Sequence, residues 1–282
     1  MRTKIDTAHL PLKRAFSWRA WGILVALYFL GNLAGIPLLR ETNTPVEPVW
    51  FWFLITGISG ILIGLGLLLG SKTGLGAPLI EGTIPKGRIK DWFRSVLALA
   101  LLTAILGSIA ILWLQRPPKK PEHYPTIWKL ILASSKAGIV EEIYTRLILV
   151  PLFVWIGGKI SREPEERPIT NKVYWSAIIL SGLWFGWEHL EDRLSIPGID
   201  NLFLLKLMTL NTVFGLVFAW QFWKLGLECA MLSHFMIDAV ASAVVVPAYL
   251  SGITWVWIGA GAGMIVLAGL SLRLLKSIGS AS

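Results

Sequence analysis

The chain has 282 residues, of which 55% are hydrophobic and 15 are tryptophan, and its mean hydropathy is +0.65. A soluble domain of this length does not contain so much apolar surface, so the composition excludes an ordinary soluble protein. The single cysteine, Cys229, excludes a disulfide framework and a cysteine-based zinc site within one chain. The net charge of +9 has to be explained by the positions of the basic residues.

The apolar residues lie in eight long runs. Most runs reach the roughly 20 residues that a helix needs to cross about 30 Å of hydrocarbon. Backbone N–H and C=O groups in lipid must be satisfied within the segment, so the runs predict helices. The sequence therefore predicts an all-α polytopic membrane protein with about eight transmembrane helices: Ala20–Leu38, Val49–Gly70, Ser95–Leu114, Ile127–Ile156, Val173–Leu190, Leu202–Trp223, Leu225–Val246 and Ile253–Leu272.

The basic residues alternate between the two sides of this predicted bundle. The N-terminal tail, the loops after the second, fourth and sixth helices, and the C-terminal end together contain 17, whereas the alternate loops contain five. The positive-inside rule therefore predicts that the N- and C-termini are both cytoplasmic. This distribution explains the net charge, so we expect no nucleic-acid partner.

We predict one transmembrane domain over residues 20–276, with a basic cytoplasmic tail before it (1–19) and a short tail after it (277–282). The first apolar run is too long for a signal peptide and has no A-x-A cleavage site, so it is interpreted as a retained helix. The longest loops, Ser71–Arg94 and Gly157–Lys172, are short, polar and rich in glycine, proline and charge.

Three polar clusters interrupt the apolar runs. Ionisable side chains at membrane depth are costly and usually face a cavity or a partner. The fourth predicted helix contains Glu141-Glu142 with Arg146, the fifth ends with Phe185-Gly-Trp-Glu188-His189, and the seventh contains His234 with Asp238. We expect the three clusters to form one shared polar site.

The spacing within the clusters indicates local pairs. Glu142 and Arg146 are four residues apart and share a helix face, so they can form an ion pair that is either structural or part of the site. Glu141 points about 100° away and has no such partner. Asp238 lies four residues after His234 and can orient its ring or act beside it.

These residue types support three chemistries. Glu141 with His189 and His234 can bind a divalent metal such as zinc, which would activate water. A glutamate can instead act as general base on water while His and Asp groups stabilise the oxyanion. A proton relay for transport uses the same side chains. The spacing does not match the H-E-x-x-H motif of zincins.

The order of the motifs resembles the CPBP family of intramembrane endopeptidases. This family includes the type II CAAX prenyl endopeptidases and bacterial proteins described as abortive-infection or bacteriocin self-immunity proteins. Glu-Glu-x-x-x-Arg, Phe-x-x-x-His and His-x-x-x-Asp occur in this order, each in its own helix, over roughly Lys129–Val246 and within a core of about 126–247. The first three predicted helices lie outside the resemblance.

The resemblance implies a role for each motif residue. Glu141 and His189 would activate water, and Glu142 would be held by Arg146. His234 and Asp238 would stabilise the oxyanion, and Phe185 would support the site. Many relatives have Asn where this chain has Asp238. An ionised Asp cannot donate to an oxyanion, so Asp238 would be protonated or would orient His234.

The sequence thus predicts an intramembrane peptidase that hydrolyses a peptide bond with a glutamate-activated or metal-bound water. Its predicted partners are membrane lipid and a peptide or lipidated peptide, including CAAX-like substrates. We expect an integral membrane protein of a prokaryotic plasma membrane. A proton-coupled transporter and a non-catalytic scaffold or immunity factor are the alternatives.

One geometric difficulty accompanies this prediction. His234 lies about eight residues into its predicted helix and His189 about seventeen, and the two helices enter from the same side. At about 1.5 Å per residue, the two depths differ by more than 10 Å. A later start of the fifth helix, a strong tilt of that helix, or a deeper seventh helix would remove the difference.

Overall fold

A computed structural model describes residues 14–114, 124–162, 169–194, 200–245 and 247 of the chain. All regular structure in these residues is helical. The α-helices are α1 (Trp18–Glu41), α2 (Val49–Thr73), α3 (Ile89–Leu114), α4 (Ile127–Lys136), α5 (Val150–Ile160), α6 (Asn171–Leu194), α7 (Asn201–Leu225) and α8 (Leu227–Val240). A short 3₁₀ turn, Lys86–Arg88, precedes α3, and three π-helical segments cover Ala137–Glu141, Ile143–Leu149 and Ala241–Val245.

Five helices in the described part of the chain are long and apolar enough to cross a membrane. They are α1, α2, Lys86–Ile111, α7 and Leu227–Val244. The predicted spans Ile127–Ile156 and Val173–Leu190 are also helical, although they are not among these five. The predicted span Ile253–Leu272 and the outer parts of both predicted tails lie outside the described residues. The described part of the chain is therefore all-helical, and its long apolar helices are those of an integral membrane protein.

Hydrogen bonds between helix ends show how the helices alternate in direction. At one end of the bundle, the Tyr174 hydroxyl near the start of α6 donates to Thr73 O at the end of α2 at 2.5 Å. Trp92 Nε1, in the first turn of α3, donates to Leu225 O at the end of α7 at 3.0 Å. At the opposite end, Glu41 at the end of α1 pairs with Lys129 in the first turn of α4 at 3.2 Å. Successive spans are therefore antiparallel.

A single residue, Gly226, connects α7 to α8. Its φ of 95° and ψ of 175° lie in a region that favours glycine because a Cβ would be strained there. The turn packs against the loop after α2, where residues 73–78 are all buried. The predicted loop Ser71–Arg94 therefore folds into the bundle at this point.

Two carboxylates hold this loop in place. Glu228, in the first turn of α8, accepts hydrogen bonds from the backbone N–H groups of Leu79 at 3.0 Å and Ile80 at 2.9 Å through the same oxygen, Oε1. Glu81 accepts from Ala77 N at 2.7 Å and pairs with Arg14 at 3.2 Å. Burial raises the pKa of the Glu81 carboxyl, and the Arg14 charge opposes that rise. The loop thus joins the start of α8 to the segment before α1.

The predicted fourth span forms one helical segment over 127–160, but its middle is π-helical. Pro151 lies in the first turn of α5, where it can give no N–H to Leu147 O in the π turn before it. Wider π turns are frequent at functional sites. Both adjacent glutamates, Glu141 and Glu142, lie where the two π segments of this span meet.

Candidate active site

Glu141 lies between two histidines from different helices. Its Oε2 is 3.9 Å from His189 Nε2 on α6 and 3.9 Å from His234 Nε2 on α8. The Glu141 side chain is 38% exposed, and that of His189 is 33% exposed. The structure thus brings Glu141, His189 and His234 together, at a place where the carboxylate can be reached.

Glu142 faces the opposite way, into the protein. Its side chain and that of Arg146 are both 0% exposed, and Arg146 Nε lies 3.1 Å from Glu142 Oε2. That contact is ionic rather than a well-directed hydrogen bond, while Arg146 Nη2 lies 3.5 Å from Glu142 Oε1. Arg146 Nη1 also donates to the Ser181 hydroxyl on α6 at 3.0 Å. Each charge of this pair is compensated without water.

His234 is held by the inward-facing glutamate. Its Nδ1 lies 2.9 Å from Glu142 Oε1. Since an ionised carboxylate only accepts, Nδ1 bears the proton and Nε2 is the atom directed to Glu141. The ring is stacked on Phe218 of α7, with centroids 4.8 Å apart and an interplanar angle of 18°. The orientation of His234 is therefore fixed by a hydrogen bond and by an aromatic face.

His189 is oriented by its own helix. Its Nδ1 lies 2.9 Å from Phe185 O, one turn earlier. A backbone carbonyl only accepts, so Nδ1 carries the proton and the lone pair of Nε2 faces Glu141. Glu141 and His189 then present two acceptors to the same space, and one water molecule can donate to both.

The depth difference between the two histidines is reduced in two ways. His189 folds back toward the start of α6, as its bond to Phe185 O requires. The turn before α8 is buried against residues 73–78, so α8 starts inside the bundle. A later start of α6 does not contribute, because α6 begins at Asn171, before the predicted Val173.

Asp238 and Phe185 complete the set of motif residues. Asp238 Oδ2 lies 3.5 Å from His234 Nε2, a position from which it can orient the ring. The Phe185 ring contacts the His189 ring, with centroids 4.5 Å apart, and meets His234 edge-on at 5.6 Å. The Arg146 guanidinium lies 4.9 Å from the Phe185 centroid. The three motifs thus form one contact network.

A cavity of about 420 Å³ opens in front of Glu141. Its walls come from α1, the two π segments of the fourth span and α6, and the lining residues are Tyr28, Val140, Glu141, Tyr144, Thr145, Glu188, His189 and Glu191. This volume is within the range of small-ligand sites. A peptide segment can therefore approach the exposed carboxylate.

The donor set does not have the geometry of a metal centre. Among the described residues, no group of three or more His, Cys, Asp or Glu side chains is arranged to hold a metal ion. A zinc ion held by Glu141, His189 and His234 would have to lie within about 2.0–2.2 Å of a donor atom of each residue. The described residues therefore do not support a metalloprotease, and zinc dependence stays a prediction.

Several residues of this site were not found from the sequence. Ser181 could have been found, because Ser181, Phe185 and His189 are spaced by four and share one face of α6. Phe218 gives no such signal, since it is one aromatic residue in an apolar helix rich in them. Tyr28 lies on α1, far from the motifs in the sequence.

Comparison with known proteins identifies part of the chain. Residues 123–240 match the family model described as type II CAAX prenyl endopeptidase Rce1-like. No curated protein and no solved structure matches the chain. The matched segment contains Glu141, Arg146, His189 and His234 and ends just after Asp238. Over this segment the chain is similar to the Rce1-like type II CAAX prenyl endopeptidases, which confirms the family resemblance of its motifs.

Proposed function

We propose that the protein is an intramembrane endopeptidase in which Glu141 activates the water that attacks a peptide bond. The observation that supports this is the position of the exposed Glu141 carboxylate, 3.9 Å from both histidine Nε2 atoms, at the wall of a cavity. Glu142, its neighbour in sequence, is engaged with Arg146 and His234, so Glu141 is the member of this pair that is available to water.

In the first step, water bound between Glu141 and His189 gives a proton to Glu141 as its oxygen attacks the carbonyl carbon. His189 Nε2 accepts a hydrogen bond from the other hydrogen of this water. This bond directs the lone pair of the water oxygen toward the substrate. Breakdown of the tetrahedral intermediate returns the proton from Glu141 to the leaving amine nitrogen. General-base catalysis of this kind contributes about 10²–10⁴-fold to the rate.

The oxyanion is stabilised from the opposite side by His234. Because Nδ1–H is directed to Glu142, His234 donates to the oxyanion from Nε2, and it does so as an imidazolium. Asp238, 3.5 Å from Nε2, stabilises and orients that cation. This geometry favours the orienting role of Asp238 over direct donation to the oxyanion.

The substrate that we propose is a membrane-associated peptide. The family segment makes prenylated peptides of the Cys-a-a-X type the first class to test, with unprenylated peptides beside them. A prokaryotic plasma membrane remains the predicted location.

The test is cleavage of a quenched fluorescent peptide library, with and without prenylation, by purified protein in detergent. We expect Glu141→Gln to lose about 10²–10⁴-fold in kcat, whereas Glu47→Gln, at an exposed position between α1 and α2, keeps the parent rate. We expect cleavage to persist in 1,10-phenanthroline.

Three outcomes would contradict the proposal. If the folded parent cleaves nothing, the transporter or scaffold alternatives take its place. Full activity of Glu141→Gln would show that Glu141 is not the general base. If the chelator abolished activity and added zinc restored it, a metal ion would be the group that activates the water.

A further inference from the structure

The cavity has one wall that the family segment does not supply. Seven of its eight lining residues lie within 123–240, and the eighth is Tyr28 of α1. Tyr28 therefore comes from a part of the chain that neither the motifs nor the family match covers.

Close helix packing brings Tyr28 to the cavity. Gly31, three residues later on the same face of α1, approaches the first π segment so closely that a Cβ there would lie 3.0 Å from Val140 Cγ2. The Tyr28 carbonyl accepts a hydrogen bond from Asn32 Nδ2 at 2.9 Å, and Asn32 is buried. The backbone of α1 is thus fixed one turn from the residue that precedes Glu141.

The cavity lies between two helices that pack on different neighbours. α1 packs mainly against α2, α4 and the first π segment, whereas α6 packs mainly against α5 and α7. Tyr28 lines the α1 side, and Glu188, His189 and Glu191 line the α6 side. A substrate bound at Glu141 therefore has the Tyr28 side of the cavity along one flank.

The chemistry of that flank is apolar. Tyr28, Tyr144 and Val140 offer two aromatic faces and a branched aliphatic group, while the α6 side presents carboxylates. In the described part of the chain, the Tyr28 hydroxyl makes no hydrogen bond, and the partly buried side chain packs beside the hydrophobic core while also lining the cavity. An apolar substrate side chain gains most by packing on this wall.

We propose that Tyr28 determines specificity, by contacting a bulky apolar side chain next to the scissile bond. This inference rests on the proposed peptidase function. It assigns selection among substrates to α1, and it leaves the chemical step to the residues of the family segment.

The experiment measures kcat and KM for two peptides that differ only in Leu or Ala beside the scissile bond. We expect the parent to prefer Leu, and Tyr28→Ala to reduce this preference at least about tenfold, since each methylene in an apolar pocket is worth about 10–200-fold. We expect Tyr28→Phe to keep the preference of the parent for Leu.

The matched control is Phe29→Ala. Phe29 is the next residue on α1, but its ring is stacked on Phe53 of α2 at 5.2 Å and does not line the cavity. An unchanged Leu-to-Ala ratio in Tyr28→Ala, with the parent active, would overturn this inference alone. An equal loss in Phe29→Ala would also overturn it, because the effect would then come from α1 packing. An inactive parent would overturn the proposed function and this inference with it.

Discussion

At the residue scale, the two adjacent glutamates have opposite surroundings. Glu141 is open to the cavity, whereas Glu142 is fully buried between Arg146 and His234. Their different directions follow from helix geometry, which turns neighbouring side chains by about 100°. One carboxylate is thus available to water, and the other fixes the imidazole that faces it.

The buried pair allows stability and activity to be separated. Arg146→Met removes the guanidinium from the buried Glu142, which keeps only its bond to His234, and we expect a loss of up to about 3–5 kcal/mol. The double variant Glu142→Leu/Arg146→Met removes both charges, and apolar replacement of a whole buried pair is often neutral or stabilising. Its thermal midpoint in detergent should therefore return toward that of the parent.

We expect the double variant to regain stability but not cleavage activity. His234 Nδ1 loses its acceptor when Glu142 is replaced, so the ring is no longer held toward Glu141. The measurements are Tm and initial cleavage rate on the same preparations. Parent-level cleavage by the double variant would show that Glu142 does not orient His234.

The local pairs at this site could be predicted from spacing, and the contacts between helices could not. Glu142 with Arg146 and His234 with Asp238 are each four residues apart, so both pairs follow from the helical repeat. The bond between His234 and Glu142 joins residues 92 positions apart. It depends on the packing of α8 against the π segments, for which the sequence gives no local signal.

At the element scale, the loop after α2 is the main departure from a simple bundle. Its glycine- and proline-rich sequence was predicted as a polar loop, yet residues 73–78 are buried and Leu227 N donates to Gly76 O at 2.9 Å. Small residues without periodicity do not indicate burial. The loop was therefore identified correctly as a connection, but its position inside the bundle was not predicted.

The carboxylate at the start of α8 should be replaceable by an amide. Both backbone donors, Leu79 N and Ile80 N, go to Oε1 of Glu228. Glu228→Gln keeps this oxygen, so we expect parent stability and activity. Glu228→Leu loses both bonds, each worth about 0.5–1.5 kcal/mol, and α8, with His234 and Asp238, loses its anchor.

We expect Glu228→Leu to lower both Tm and cleavage, and Glu228→Gln to lower neither. The comparison uses thermal unfolding and initial rates in one detergent. If Glu228→Leu behaves as the parent, the loop does not set the position of α8. If Glu228→Gln fails as well, the negative charge itself is required.

At the scale of the whole molecule, the distribution of basic residues predicts which bundle end faces the cytoplasm. The end at which α1 begins also contains the end of α2 and the starts of α3, α6 and α8, through the contacts of Arg14, Tyr174, Trp92 and Leu227. These are the ends at which the basic loops lie. The cytoplasmic orientation of this end stays a prediction.

Cysteine labelling can test this orientation. Cys229 is the only cysteine of the chain and is buried, so a cysteine introduced at an exposed position gives a clean signal. We expect Thr44→Cys, between α1 and α2, to react with an impermeant maleimide in intact cells. Lys90→Cys, at the start of α3, should react only after permeabilisation. The reverse pattern would invert the predicted topology.

The Glu142–Arg146 pair also has a consequence for biogenesis. An isolated charge at the centre of a bilayer costs about 2.5–3.5 kcal/mol on insertion. Because the two residues are four apart in one segment, they can neutralise each other as soon as that segment becomes helical. Their interhelical partners, Ser181 on α6 and His234 on α8, are synthesised later. We therefore expect the chain to insert its buried charges already paired and to add the contacts that orient them as the following helices arrive.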